Sequence, residues 1–179
     1  MTKDFNIVLT GFMGTGKSTI GKMLARRLGY RFVDTDHVIE SRAGCSVAEI
    51  FEQHGEEVFR EQETKVAEEL SEQNRLVIAT GGGMLVNSEN QRILESTGKI
   101  FCLTANIDEI IKRLSNPRAR AQRPLLKTEN LKQHVKEMLE KRRSTYTKFV
   151  QINTSGKTTR EAVDAILKIV RNMQAVENQ

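Results

Sequence analysis

Gly11, Gly16, Lys17 and Ser18 stand at the spacing G-x-x-x-x-G-K-[ST], complete from Gly11 to Ser18. That spacing lets a glycine-rich turn curl its backbone N–H groups around phosphate oxygens. The amides of Gly14, Thr15, Gly16, Lys17, Ser18 and Thr19 are the candidate cradle for a nucleoside triphosphate. Lys17 would reach the β- and γ-phosphates, and the Ser18 hydroxyl would coordinate Mg²⁺. A helix opening at Lys17 would add its positive N-terminal end. A glycine turn that binds nothing is the plain alternative. The motif specifies a triphosphate and leaves the fate of the phosphate open.

Further chemistry-bearing residues follow. Phe32-Val33-Asp34-Thr35-Asp36 sets two carboxylates just past an apolar pair. Residues at i and i+2 share a side of an extended chain, so both are expected to face one cleft. One carboxylate could hold a metal, and the other could orient a substrate hydroxyl. Asp36 could instead cap a helix beginning near His37. An arginine carries a planar fork that matches a carboxylate, and Arg60, Arg142 and Arg143 are among those that could supply one. Arg60 has Glu56, Glu57 and Glu63 as competing surface partners, and Arg143 competes with Arg142. Gly81-Gly82-Gly83 implies close backbone approach to a ligand, or a tight turn. Between Glu109 and Glu129 lie Lys112, Arg113, Arg118, Arg120, Arg123 and Lys127 with no acid among them, beside both prolines, Pro117 and Pro124. Such a stretch repels itself until an anion draws it closed, unless it is merely a solvated basic loop.

The elements that must position these groups are legible from pattern. Ile7–Leu9, Phe32–Val33, Leu76–Ala79, Ile100–Leu103 and Phe149–Ile152 read as short buried strands. Helical stretches are expected at 17–28, 38–42, 47–54, 56–72, 90–95 and 107–114, around Leu131–Leu139, and at 159–173. Ser46 with Glu49 forms a capping box. Apolar strands alternating with helices predict a parallel sheet covered on both faces, with ligands outside the carboxyl ends of its strands. Each motif falls at such an end.

Bulk properties bound the rest. The 179 residues fit one domain. A net charge of +5 and a pI near 9.3 fit either a nucleic-acid binder or an enzyme handling anions. The charge concentrates in one loop and no aromatic stacking motif accompanies it, which disfavours nucleic acid. Cys45 and Cys102 are far apart, and Cys102 reads as a buried free thiol. With no metal-ligand spacing, no signal peptide and no apolar run of membrane length, a reducing cytoplasm is expected.

Taken together and in order, GFMGTGKST from Gly11, DTD at Asp34–Asp36, Phe59-Arg60, the glycines from Gly81, RPLL from Arg123 and KRRSTY ending at Tyr146 resemble the shikimate kinase family. The resemblance spans nearly the whole chain. It implies a three-layer α/β/α P-loop kinase fold with a five-stranded parallel sheet and a mobile lid. The kinase domain would span 1–173, with the lid about 113–127 and a tail over 174–179. It further implies that Lys17, Asp36 and Arg123 carry catalysis, with Arg123 also on ATP. Asp36, Arg60, Gly81, Gly82, Gly83 and Arg142 would bind shikimate. Ser18 and Asp34 would hold Mg²⁺, and a monomer would phosphorylate shikimate with ATP. The stretch from Arg113 to Arg123 departs from the family pattern by its length, so Arg113, Arg118 and Arg120 all remain candidates for the adenine. Thr154-Ser155-Gly156 could line the same site. Gluconate kinases and nucleoside monophosphate kinases share the loop. A GTPase switch would need an NKxD-type motif, which the sequence lacks.

Overall fold

A computed structural model describes residues 5–115 and 130–176. Its elements run in the order β1 (Asn6–Gly11), α1 (Lys17–Leu28), β2 (Arg31–Asp34), α2 (Thr35–Ala43), α3 (Val47–Ser71), β3 (Leu76–Ala79), a 3₁₀ turn (Met84–Val86), α4 (Ser88–Glu95), β4 (Gly98–Thr104), α5 (Ile107–Leu114), α6 (Leu131–Tyr146), β5 (Val150–Asn153) and α7 (Thr159–Val176).

The strands form one sheet in the order β2-β3-β1-β4-β5, with every pairing parallel. Their apolar runs are continuous because both faces are buried. Along β1, Ile7 and Leu9 point into one core and Val8 into the other, each fully shielded from water. The first core is closed by Leu24 of α1 and by Val163 and Ile166 of α7. The second is closed by α2 to α6, through Ile39, Phe59, Val66, Leu94, Ile110 and Val135. This is the expected three-layer arrangement. The chain leaves β1 toward one edge and, after β3, crosses β1 to reach β4. The carboxyl ends of β1 and β3 flank that reversal, where open α/β sheets bind ligands.

Buried Asn6 pins the opposite end. Its Nδ2 donates to Gln73 O at 2.7 Å, and its Oδ1 accepts from Leu76 N at 3.0 Å. The capping box at Ser46 and Glu49 is formed. The two helical stretches expected at 47–54 and 56–72 run on from one another. Only Gly55 breaks them, at φ 83° and ψ 169°. The helix expected from residue 38 begins at Thr35 instead, and α7 continues to Val176. Most of the expected lid, including Arg118, Arg120 and Arg123, lies outside the described residues. No described helix is long and apolar enough to cross a membrane.

Candidate active site

The loop after β1 passes directly into α1. Gly14 and Gly16 hold positive φ angles of 81° and 98°, and Gly16 caps the helix in a left-handed conformation that side chains resist. Lys17 Nζ donates to Gly11 O at 2.8 Å and Phe12 O at 3.1 Å, which folds the ammonium back over the loop. Thr15 is buried and its hydroxyl donates to Phe12 O at 2.7 Å. Arg113 reaches in from α5, donating to Gly14 O at 2.9 Å while Glu109 holds its other end at 2.8 Å. Thr154 Oγ1 lies 3.2 Å from Thr15 O. Thr15, Thr19, Arg113, Thr154 and Lys157 help line a cavity of about 240 Å³ beside the loop. Of the three lid arginines weighed for the adenine, Arg113 lies here, with Thr154.

The two aspartates diverge. Asp34 ends β2 and caps α2, accepting from His37 N at 3.5 Å. Its other oxygen accepts from Ser18 Oγ at 2.7 Å. Asp36 lies inside the first turn of α2 and is not the cap. The expectation that both share one side of an extended chain fails because the strand ends between them. Asp34 faces the phosphate loop, whereas Asp36 faces the glycine run after β3.

That run is the hub of the second half. A methyl group at Gly81 would lie 2.6 Å from Asp36 Oδ1 and 3.0 Å from Glu63 Oε1. One at Gly82 would lie 3.0 Å from Arg142 Nη1, and one at Gly83 3.0 Å from Arg60 Nη1. None of the three holds a positive φ. Their role is close approach, and what approaches is a ring of four charged side chains. Gly81 N donates to Thr35 Oγ1 at 3.0 Å, and Tyr146 Oη donates to Gly82 O at 2.6 Å, fixing the run from both sides.

Arg60 makes the local ion pairs that its neighbours suggested, without leaving the site. Its guanidinium donates to Glu56 at 2.9 Å and to buried Glu63 at 2.7 Å. Burial opposes the charge on Arg60, but Glu63 and Glu56 outweigh it and hold its pKa above the usual value. Arg142, rather than exposed Arg143, turns toward the strand ends and stacks 5.7 Å from the centre of the Phe12 ring. Its Nη1 is buried and has no hydrogen-bond partner among the described residues. Burial pushes the Tyr146 hydroxyl up to about 12 despite Arg142, so it stays a donor.

Glu63 was missed as a site residue. It is 1 % exposed, and burial pushes its carboxyl up to about 7 against the pull of Arg60. The signal was present: Phe59, Glu63, Val66, Ala67 and Leu70 form the buried stripe of α3, and a lone carboxylate within such a stripe calls for a partner.

The shikimate kinase family model matches residues 13–171. A shikimate kinase of Geobacter sulfurreducens is 45% identical over 170 residues, covering 94% of this chain and 92% of its own length. One of Thermodesulfovibrio yellowstonii is 44% identical over 164 residues, covering 91% and 93%. Among solved structures, a shikimate kinase from Acinetobacter baumannii in complex with shikimate superposes with a TM-score of 0.89 at 35% identity, covering 96% of this chain and 95% of that one. A gluconokinase from Sinorhizobium meliloti, at 19% identity and a TM-score of 0.58 over 97% of each chain, shares the fold alone. With the family model matched across most of the chain and close relatives matched along almost their full length, this protein belongs to the shikimate kinase family.

Proposed function

We propose that the chain transfers the terminal phosphoryl group of ATP to the 3-hydroxyl of shikimate, giving shikimate 3-phosphate and ADP. The observation that carries this reading is the convergence of Asp36, Glu63, Arg60 and Arg142 on the glycine run next to the phosphate loop. Two guanidiniums facing a carboxylate pair suit a molecule with an acid at one end and a reacting alcohol at the other.

In this reading Arg60 and Arg142 grip the acid, and Asp36 accepts the hydrogen bond of the reacting hydroxyl. Gly81, Gly82 and Gly83 leave room for both partners. Phosphoryl transfer has a loose transition state, so orientation and charge neutralisation supply most of the catalysis. Lys17 and the loop amides from Gly14 to Thr19 neutralise the phosphates, and Arg123 adds charge from the lid. Arg113 borders the adenine. The oxygens of Ser18 and Asp34, 2.7 Å apart, form the hard, singly carboxylated donor set that Mg²⁺ takes alongside nucleotide phosphates. Mg²⁺ held there would supply positive charge that offsets the phosphates. We also place the enzyme in the cytoplasm as a monomer, folded as one kinase domain.

A coupled ADP-release assay offering shikimate, gluconate and nucleoside monophosphates side by side tests the reading. ADP release with shikimate alone is expected. Turnover with gluconate and none with shikimate would overturn it.

A further inference from the structure

A second cavity of about 240 Å³ lies between α3 and α6. Phe51, Glu56 and Arg60 wall it from one side, and His134, Met138 and Arg142 from the other. His134, Met138 and Arg142 follow each other at i, i+4 and i+8, so they share one face of α6. Arg142 borders this cavity while its guanidinium reaches Gly82 and the Phe12 ring.

Two atoms of that wall are anomalous in the same way. His134 Nε2 and Arg142 Nη1 are both buried, and neither has a hydrogen-bond partner among the described residues. Buried polar atoms in folded proteins are nearly always paired, so an orphan needs an explanation. Arg142 has one in the proposed acid clamp. His134 lines the same cavity, and the clamp as drawn leaves its orphaned Nε2 unexplained. Of the other cations lining the cavity, Arg60 is already engaged by Glu56 and Glu63, and Lys141 is exposed.

We propose that His134 is a specificity-determining residue, whose Nε2 bonds the carboxylate end of the acid substrate beside Arg142. The inference rests on the reading of Arg60 and Arg142 as the acid clamp. It adds a third contact, from the first turns of α6, two helical turns away from Arg142. Met138 and Phe51 supply the apolar wall against which the ring of a hydroxylated acid would lie.

The test compares His134→Leu and His134→Gln with the full-length wild type in the ADP-release assay. A glutamine amide can occupy the place of Nε2, whereas leucine offers no donor. His134→Leu is expected to raise the KM for shikimate at least about tenfold, the worth of one hydrogen bond to a charged group. Its kcat and its KM for ATP should stay within about twofold of wild type, and His134→Gln should recover most of the loss. With the primary alcohol analogue, in which a CH₂OH replaces the carboxylate, the leucine penalty should shrink. Unchanged KM in His134→Leu, or an equal penalty on the alcohol analogue, would overturn the role of His134 while leaving the kinase reading intact. A wild type that does not phosphorylate shikimate would overturn both.

Discussion

Burial and the Arg60 guanidinium pull Glu63 in opposite directions, and burial prevails, pushing its carboxyl up to about 7 from an ordinary 4.5. Asp36 from α2 adds to the rise, while Arg60 on α3 and Arg142 on α6 oppose it. Between those two values the folded protein binds more protons than the unfolded chain. Stability should therefore fall as pH rises from about 4.5 to about 7, by up to about 3 kcal/mol, and level off above. Urea midpoints across that range should show the slope in the wild type and lose most of it in Glu63→Gln. A variant with the slope intact would assign it to another group. Arg60→Ala removes one fork of the clamp and should raise the KM for shikimate by roughly 10–100-fold, with the KM for ATP nearly unchanged. Equal damage to both would count against the clamp. At this scale the sequence was informative where chemistry is written in residue type. The phosphate loop was legible in residue type, whereas Arg60 and Arg142 stood out from surface ion pairs and from Arg143 only through the family resemblance. The divergence of Asp34 from Asp36 was not, because it depends on where β2 stops. Nor was the reason for Gly81 to Gly83, because the groups crowding them come from three helices distant in sequence.

Elements were legible where periodicity and punctuation agree. Gly55 correctly separated two helical stretches. Their near-continuity was hidden, since it needs a residue at φ 83° and ψ 169° with helix on either side. That conformation belongs almost only to glycine, and nothing lies within 4 Å of a methyl group added there. Gly55→Ala should therefore cost about 1–3 kcal/mol by backbone strain alone. Because Phe51 before the kink and Glu56 and Arg60 after it line the same cavity, the KM for shikimate should rise as well. Denaturant midpoints and steady-state kinetics check the two halves separately, and an unchanged midpoint would refute the strain. The start of α2 was misplaced for a tertiary reason. Thr35 is fully buried, and its hydroxyl accepts the Gly81 amide at 3.0 Å, a contact that local propensity cannot foresee. The 3₁₀ turn at Met84–Val86 was missed because three residues carry no period.

For the whole molecule, the site is a concentration of unfavourable terms held in place by the two cores. Half-buried Arg142 holds a buried, unpartnered Nη1, and Glu63 lies buried beside Asp36. Groups arranged to meet a ligand are costly until it arrives, so function and stability should trade off here. Arg142→Met keeps length and apolar packing against Phe12 while removing the orphaned donor. Replacing a poorly satisfied buried cation with an apolar side chain is often neutral or stabilising. The melting temperature of the free protein should therefore hold or rise by a few degrees. The response to substrate should move the other way. At about 100 times its Kd, a ligand stabilises by about 2.7 kcal/mol, which is on the order of 5–10 °C for a chain of this size. Wild type should show that shift with shikimate, and Arg142→Met should lose nearly all of it at the same concentration, while the shift with ATP and Mg²⁺ persists. If Arg142→Met instead melted far below wild type and still responded to shikimate, Arg142 would be a structural strut of the α6 face, and the acid would have to be held elsewhere.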